Sequence, residues 1–491
     1  YAGSYITATL AGQNEENAHI AARKTADEGR FIPGTAEFNA AFDKVTADPD
    51  ILTGSKLVDN SRIYHSDVNY NFQDIIDFAD IQVGGSIREY QLNSFGRIYT
   101  DKDGPILYSE YGMYTQVQKK FFDDRLKFTG SMRYDKAQNF NGNVSPRVSL
   151  VYSGGESRRH NFRGSFQTGF RNPTTQDQYI GFNIGPAVLV GSAPDNLTRF
   201  SEVRGNNVNG SGTITPFGQA VLGSNTVVMN GENAYFNSYT LATANDFAAT
   251  GNAALLRRTD VDLVKPEQVK AFEVGYRSLI SDISVDINGY YNIYNDFIGN
   301  LTVAAPYYGT AQDAPNDTPN PDDPGYQTIK ALQGGDFRVY QLYTNTDLEI
   351  QSIGFGIGLS TKVYKDFEVG VNYNYAEFKF DQAKEPDFEA GFNTPKHKVK
   401  ASFGNEKLFK NFGFNVSARY NTAYLWQSTF VDGMIAEATV IDAQVNYEVP
   451  SLNSTFKIGA SNIGGREYGQ VLGAGLIGQQ IFASWTINPS Y

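Results

Sequence analysis

Residues 412–421 read Phe-Gly-Phe-Asn-Val-Ser-Ala-Arg-Tyr-Asn and alternate between apolar and polar side chains. Residues 283–294, 367–375 and 439–449 repeat this pattern. A period of two places successive side chains on opposite faces of a β-strand, so each segment has one apolar and one polar face. We therefore predict an all-β protein.

The length of these segments separates a membrane barrel from a soluble β-sandwich. Typical strands contain about 5 or 6 residues, whereas the alternating segments here run to roughly 10 to 16. A tilted strand of about 13 residues covers roughly 33 Å, which is enough to cross the apolar core of a bilayer. No segment approaches the roughly 18 to 20 apolar residues that a membrane helix requires. The fold is therefore predicted to be a large antiparallel transmembrane β-barrel.

The composition agrees with this fold and excludes several classes of function. Aromatic residues make up 14% of the 491 residues, and 48 residues are glycine, so strand and turn formers are abundant. The net charge of −12 argues against a nucleic-acid partner. The absence of cysteine excludes disulfides, thiolate zinc sites and cysteine nucleophiles. The four histidines are widely spaced and no Gly-x-Ser-x-Gly motif occurs, so neither an enzyme nor a metal site is expected.

About 15 strands are predicted from the alternation. They lie near residues 60–72, 78–93, 106–121, 125–138, 144–153, 159–171, 266–280, 282–299, 337–363, 367–380, 395–406, 411–427, 437–449, 454–467 and 475–488. Short connections alternate with long ones, as in outer-membrane barrels whose long loops lie outside the cell. The segment 337–363 is predicted to be a single strand projecting beyond the membrane, because splitting it would break this alternation.

This count predicts the organisation of the chain. Residues 1–58 are expected to be an extracellular loop region, and residues 59–491 the barrel. Long extracellular loops are predicted near 173–264 and 301–336, without regular structure of their own. A closed bacterial barrel has an even number of strands. An odd count therefore indicates either that further strands belong to the barrel or that the count is wrong by one.

Several segments resemble motifs of the TonB-dependent outer-membrane receptors. They are residues 166–174 (Phe-Gln-Thr-Gly-Phe-Arg-Asn-Pro-Thr), 264–267 (Val-Lys-Pro-Glu) with 272–276 (Phe-Glu-Val-Gly-Tyr), 394–398 (Thr-Pro-Lys-His-Lys), and 461–463 (Ser-Asn-Ile) with Tyr468. Each motif alone is weak, but their order and spacing fit over about residues 60–491. The resemblance implies the later part of a barrel of about 22 strands. The N-terminal plug domain of the family is not found in this chain.

The resemblance also implies a function and a location. Such a protein is an integral barrel of the outer membrane of a Gram-negative bacterium. It binds a bulky nutrient at the cell surface (a siderophore, an oligosaccharide or a peptide) and imports it with energy from the TonB complex, which acts through the plug. Outer-membrane lipid and lipopolysaccharide are expected partners, and a surface lipoprotein is left open. The alternative is a passive porin or a structural component of a surface or secretion assembly.

Two sets of site residues are predicted. Polar side chains on the strands must face the lumen, because an arginine facing lipid at mid-depth costs about 2 to 4 kcal/mol. Residues predicted to line the lumen or contact the plug are Arg133, Arg147, Arg163, Asp286, Asn288, Arg419 and Asp442. Aromatic residues of the long loops predicted to contact the ligand are Tyr179, Phe182, Tyr235, Tyr239, Tyr307 and Tyr308.

Two further features are assigned structural roles. Arg171 and Glu267 flank the first long loop and are expected to anchor it. The acidic run 313–323 suggests calcium, but it lacks the ligand spacing and the glycine of a known calcium loop. Its prolines favour a stiff exposed loop. No cofactor is expected, and the sequence does not identify the ligand.

Overall fold

The computed structural model describes residues 1–49, 53–208, 211–364, 366–428 and 431–488. The strands in these ranges, numbered in chain order, are β1 Arg62–Asn71, β2 Asp80–Leu92, β3 Ile106–Phe121, β4 Leu126–Ala137, β5 Asn143–Gly154, β6 His160–Arg171, β7 Gly181–Asn183, β8 Val188–Val190, β9 Ser201–Gly205, β10 Thr226–Asn230, β11 Tyr239–Thr240, β12 Glu267–Ile280, β13 Ile283–Asn295, β14 Ile298–Pro306, β15 Phe337–Asn345, β16 Ile350–Val363, β17 Phe367–Lys379, β18 Phe388–Glu389, β19 His397–Phe409, β20 Phe412–Asn421, β21 Tyr424–Trp426, β22 Gly433–Ile435, β23 Ala438–Val449, β24 Ser454–Ser461 and β25 Gln480–Ile487.

The helices are shorter and lie outside the long strands. In chain order they are α1 Ala2–Leu10, α2 Glu15–Ala26, α3 Ala36–Ala47, α4 Thr175–Tyr179, α5 Asn196–Arg199, α6 Pro216–Leu222, α7 Gly231–Phe236, α8 Leu241–Thr250 and α9 Pro324–Gly334, with 3-10 turns at Ala253–Leu255 and Pro450–Leu452. None of the helices in the described ranges is long and apolar enough to cross a membrane.

The chain forms two compact units, residues 1–59 and 60–491. The first unit contains α1, α2 and α3. Asn14 and Thr35 begin α2 and α3 because their side chains accept hydrogen bonds from backbone N–H groups of the first turn. The predicted extracellular position of residues 1–58 stays a prediction.

Fifteen strands of the second unit form one antiparallel sheet. Their order is β1-β2-β3-β4-β5-β6-β12-β13-β16-β17-β19-β20-β23-β24-β25, so each strand pairs with the long strands next to it along the chain. The prediction of about 15 long antiparallel strands is confirmed. The connections at one end of the sheet are short, and the longest of them is 72–79. At the other end they include 172–266 and 296–349.

The prediction of a single strand over 337–363 is wrong. This stretch contains two strands, β15 and β16, separated by residues 346–349. Only β16 belongs to the 15-stranded sheet, while β15 pairs with β14 and β8 in a second sheet. The alternation of long and short connections survives because both β14 and β15 lie within one connection. The predicted strand 282–299 likewise ends at Asn295, before β14 begins.

The long connections fold together, which corrects the prediction that they have no regular structure. A six-stranded sheet combines β7, β8, β11, β14, β15 and β18, with helices packed against it. Its core is apolar and aromatic, with Val303, Tyr340 and Leu342 fully buried. We call this assembly, formed by residues 172–266, 296–349 and 380–396, the loop unit.

One face of the 15-stranded sheet is apolar and exposed. Side chains on this face remain 71% exposed at Val68 in β1, 67% at Val274 in β12 and 78% at Ile481 in β25. Soluble monomers rarely expose contiguous apolar patches larger than a few hundred Å². An apolar face that extends from the first strand to the last matches the lipid-facing side predicted for a transmembrane barrel.

This assignment predicts that the two faces tolerate charge differently. We expect Val274→Arg, at the middle of β12 on the apolar face, to destabilise the barrel by about 2 to 4 kcal/mol in a bilayer. Ser165→Arg is the matched control, because Ser165 is opposite Glu273 on the polar face. The measurement is urea unfolding in lipid vesicles, followed by tryptophan fluorescence. Equal destabilisation by both variants would contradict the assignment of the faces.

Candidate functional site

The strand register places all seven predicted lumen residues on one face of the sheet. Residues directly opposite each other in antiparallel strands carry their side chains on the same side. The pairing can be followed from Arg133 in β4 to Asp442 in β23 without a change of face. This is the face opposite the exposed apolar one, and we call it the polar face. Contact of these residues with a plug domain stays a prediction.

Ion pairs connect most of the charges among these seven residues. Arg133 Nε lies 2.7 Å from Asp135 Oδ2, and Arg163 lies 3.4 Å from Asp286 and 3.5 Å from Glu273. The pair between Arg419 and Asp442 is looser, at 4.0 Å. Because these side chains are partly exposed, each pair contributes little to stability on its own. Their consequence is a hydrated, charged wall.

The first long loop is anchored as predicted. Arg171 Nη2 donates to Glu267 Oε2 at 2.8 Å, and these two residues are directly opposite each other in β6 and β12. The same oxygen accepts a hydrogen bond of 3.2 Å from the backbone N–H of Ile298, which begins β14. Glu267 is buried. One carboxylate therefore joins two barrel strands to the loop unit.

Five of the six aromatic residues predicted to contact the ligand are instead buried: Tyr179, Tyr235, Tyr239, Tyr307 and Tyr308. Tyr235 is fully buried, and its hydroxyl lies 3.1 Å from both the Val190 and the Tyr343 carbonyl oxygens. These five rings pack in hydrophobic clusters, and this burial argues against direct ligand contact; their assignment as ligand contacts stays a prediction. Phe182 is half-buried, so its role as a ligand contact stays a prediction.

A cavity of about 440 Å³ opens beside the loop unit. Most of its lining comes from three parts of the chain: residues 258–265, the end of β15 with Asp347, and residues 385–388, with Thr240 of β11 and Leu301 of β14 completing the walls. Five of the seven charged residues in the lining are carboxylates: Asp260, Asp262, Asp347, Glu385 and Asp387. Among the described residues, no cation lies within 4.0 Å of any of them. We call this the acidic cavity.

The two cations of the acidic cavity only partly offset this charge. Lys265 Nζ is 3.0 Å from Asp296, which raises the pKa of Lys265 through a hydrogen bond. Arg258 has no carboxylate within 4.0 Å in the described part of the chain. Within the same ranges, no three His, Asp or Glu side chains are placed to hold a metal ion. The carboxylates are therefore dispersed over the walls and suit a large ligand better than a single ion.

The acidic run proposed for calcium has other contacts. Asp313 Oδ1 accepts from the backbone N–H of Arg258 at 2.8 Å. Asp323 Oδ1 accepts from the N–H groups of Gly325 and Tyr326 and caps α9. These two carboxylates hold the loop unit together. Calcium binding by this run stays a prediction.

Sequence reasoning missed the acidic cavity because its walls are far apart along the chain. The only local signal was the repetition of acidic residues in 260–262 and 385–387. Such repeats are ordinary in exposed loops. The pairing of β14 with both β15 and β18 places residues 385–388 beside the end of β15, and Thr344 Oγ1 of β15 donates to the carbonyl of Asp262. The sequence reveals neither contact.

Glu389 directly follows Phe388, which lines the acidic cavity. It lies in the two-residue strand β18, which pairs with β14 through Glu389 opposite Asn300 and Phe388 opposite Leu301. Burial raises the pKa of Glu389 to about 7, and the nearby Asp432 carboxylate adds to the increase. The folded state therefore favours the protonated acid.

A pH dependence follows from this shift. Because the pKa of Glu389 is higher in the folded state than its ordinary value of 4.5, its stabilising effect is full below that value and is lost as the pH rises through about 7. We expect amide hydrogen exchange in residues 380–396 to be faster at pH 8 than at pH 5, after correction for intrinsic rates. Glu389→Gln should remove this difference, whereas Asp381→Asn, in the same segment, should keep it. A difference that persists in Glu389→Gln would contradict the assignment.

Comparison with known proteins identifies the fold. The family model described as "TonB dependent receptor-like, beta-barrel" matches residues 11–463. No curated protein matches the sequence at a significant level. Similar solved structures include a variant of the ferric enterobactin receptor PfeA from Pseudomonas aeruginosa, with 12% identity and a TM-score of 0.52 over 87% of this chain and 53% of that one.

Two further receptors give the same picture. The siderophore receptor PirA from Acinetobacter baumannii has 13% identity and a TM-score of 0.51, over 88% of this chain and 56% of that one. The FrpB iron transporter from Neisseria meningitidis has 11% identity and a TM-score of 0.51, over 87% and 55%. The chain therefore spans about half the length of these solved receptors, and the likeness concerns the fold. Because the family model covers most of the sequence, the protein belongs to the TonB-dependent receptor family and forms part of its outer-membrane β-barrel.

Proposed function

We propose that this barrel belongs to an outer-membrane receptor that binds a bulky nutrient at the cell surface and imports it with energy from the TonB complex. The observation that carries the proposal is the loop unit. It has its own hydrophobic core, it lies at the end of the sheet where all the long connections are, and it borders a cavity of about 440 Å³. Long connections that fold into a defined body are usually functional.

The charge of the acidic cavity favours one class of ligand. In the described ranges, its five carboxylates have no cation within 4.0 Å. Of the two cations on its walls, Lys265 pairs with Asp296, and Arg258 has no carboxylate within 4.0 Å in the same ranges. Hydroxyl and ammonium groups donate hydrogen bonds to carboxylates, whereas an anionic ligand would be repelled. Among the three nutrient classes considered, an oligosaccharide or a basic peptide therefore fits better than an anionic siderophore complex.

The polar face supports the import step of the proposal. Its ion pairs at Arg133, Arg163 and Arg419 make a charged, hydrated wall rather than a packed apolar core. Such a wall suits a lumen that holds a plug domain through polar contacts and lets it move. Coupling to TonB through a plug, contact of the apolar face with outer-membrane lipid, and a lipoprotein partner are parts of this proposal.

Uptake by intact cells tests the proposal. Cells that express the complete gene product, in isogenic strains with and without TonB, receive one of three labelled probes: a maltooligosaccharide, an oligolysine peptide or ferric enterobactin. We expect TonB-dependent accumulation of the oligosaccharide or the peptide. The triple variant Asp260→Asn, Asp262→Asn, Asp347→Asn should raise the half-saturating concentration by about tenfold or more, because hydrogen bonds to charged groups contribute about 1.5 to 3 kcal/mol each.

A matched control and two adverse outcomes make this test specific. Asp317→Asn changes an acidic residue outside the lining of the acidic cavity and should leave uptake unchanged. Accumulation of ferric enterobactin alone would overturn the ligand class. Accumulation that is equal without TonB would overturn energised import and indicate a passive pore.

A further inference from the structure

Two cations are directly opposite each other on the polar face. Lys400 in β19 pairs with Arg419 in β20. On the other side of β19, Lys400 is opposite the neutral Asn372. Like charges in directly opposite positions destabilise a sheet. Positions that break a local rule in this way are expected at functional or strained sites.

The surroundings leave this charge largely uncompensated. Lys398, two residues before Lys400 on the same face, is opposite Asn374 and Asn421. No carboxylate in the described ranges lies within 4.0 Å of Lys398 or Lys400. Asp442 Oδ2 is 4.0 Å from Arg419, a loose ion pair that offsets part of the charge of Arg419 but none of that of Lys400, and Asp442 Oδ1 accepts hydrogen bonds from the Ser461 hydroxyl and the Asn462 N–H.

The other carboxylates nearby have partners of their own. Asp286 and Glu273 pair with Arg163, and Glu368 pairs with Lys362. The excess of positive charge around Lys400 is therefore local, in contrast to the net charge of −12 of the whole chain.

These cations border a cavity of about 290 Å³ in the polar face. Its lining includes Lys400, Arg419 and Asp442 together with the neutral hydrogen-bonding side chains of Asn372, Ser402 and Ser417. An ammonium group and a guanidinium group on facing strands can bind the two oxygens of one carboxylate or phosphate group, and the hydroxyl and amide groups can donate to the remaining acceptors.

We propose that this cavity binds an oxyanion, a carboxylate or phosphate group, between Lys400 and Arg419. The bound anion offsets the repulsion between the two cations. Without the anion, the repulsion lowers the stability of the sheet. The site differs from the acidic cavity in position and in charge. It does not depend on the proposed import, because binding is measured without transport.

Binding of citrate to the purified 491-residue chain in detergent micelles tests this inference. We expect saturable binding by calorimetry that weakens as salt is added. Lys400→Met should raise the citrate dissociation constant by about tenfold or more, since it removes a charge-assisted hydrogen bond. In the absence of citrate, the same variant should unfold at a higher temperature than the native chain, because the like-charge contact is gone.

Lys457→Met is the matched control. Lys457 is on the same face, has no carboxylate within 4.0 Å in the described ranges, and is opposite the neutral residues Asn446 and Ser484. It should leave citrate binding and the unfolding temperature nearly unchanged. Absence of citrate binding, equal effects of the two variants, or a lower unfolding temperature for Lys400→Met would each overturn the proposal.

The oxyanion is either a soluble anion or a carboxylate of a protein segment inside the barrel, and citrate binding in two preparations distinguishes these sources. Citrate binding in membranes that contain the complete gene product identifies a soluble anion as the occupant. Citrate binding by the 491-residue chain but not by the complete product identifies a carboxylate of a protein segment inside the barrel. A citrate site that is insensitive to Lys400→Met in both preparations would lie elsewhere and contradict the assignment.

Discussion

The register of the 15-stranded sheet is the constraint on which the other features depend. Side chains alternate between the two faces of a strand with a period of two residues. A slip of one residue between two strands would therefore move every arginine of one strand to the apolar face. At the midplane of a bilayer each such arginine costs about 2 to 4 kcal/mol. The alternation of apolar and polar residues therefore selects one register in each of the long hairpins, and the register in turn decides which charges meet.

Glycine lets the charges of the polar face meet across strands. Gly275 is opposite both Arg163 in β6 and Asn288 in β13. A Cβ atom at Gly275 would lie 2.4 Å from Arg163 Nε, so the guanidinium lies flat over the bare backbone. That path brings Arg163 to within 3.4 Å of Asp286, on the strand beyond. A side chain at this position would require the Arg163 guanidinium to shift from its place beside Asp286, which gives a reason for glycine in the middle of a strand, where it is otherwise unfavourable.

The barrel could be predicted from the sequence because the alternation that marks each barrel strand is local. The loop unit could not be predicted, because it depends on pairing between strands that are far apart along the chain. Each long strand carries its own alternation, so the segments could be recognised one at a time. Residues 337–363 are rich in strand-forming residues, but this composition does not tell which sheet a strand joins. The partner of β15 on one side is β8, which precedes it by about 150 residues and runs parallel to it. The same distant pairing buries Tyr235, whose position in a long loop suggested exposure.

The acidic cavity and the attachment of the loop unit share residues, and this links binding to the barrel. Lys265 and Asn345 line the acidic cavity. The side chain of Asn345 accepts from the Lys265 N–H and donates to the Lys265 carbonyl, both at 2.9 Å, and also donates to the carbonyl of Asp296. Asp296 is in the left-handed region (φ 53°) where the chain turns from β13 into β14, and its carboxylate holds Lys265. The Lys265–Asp296 ion pair and the hydrogen bonds of Asn345 therefore join the wall of the acidic cavity to the turn that connects the loop unit to the barrel wall.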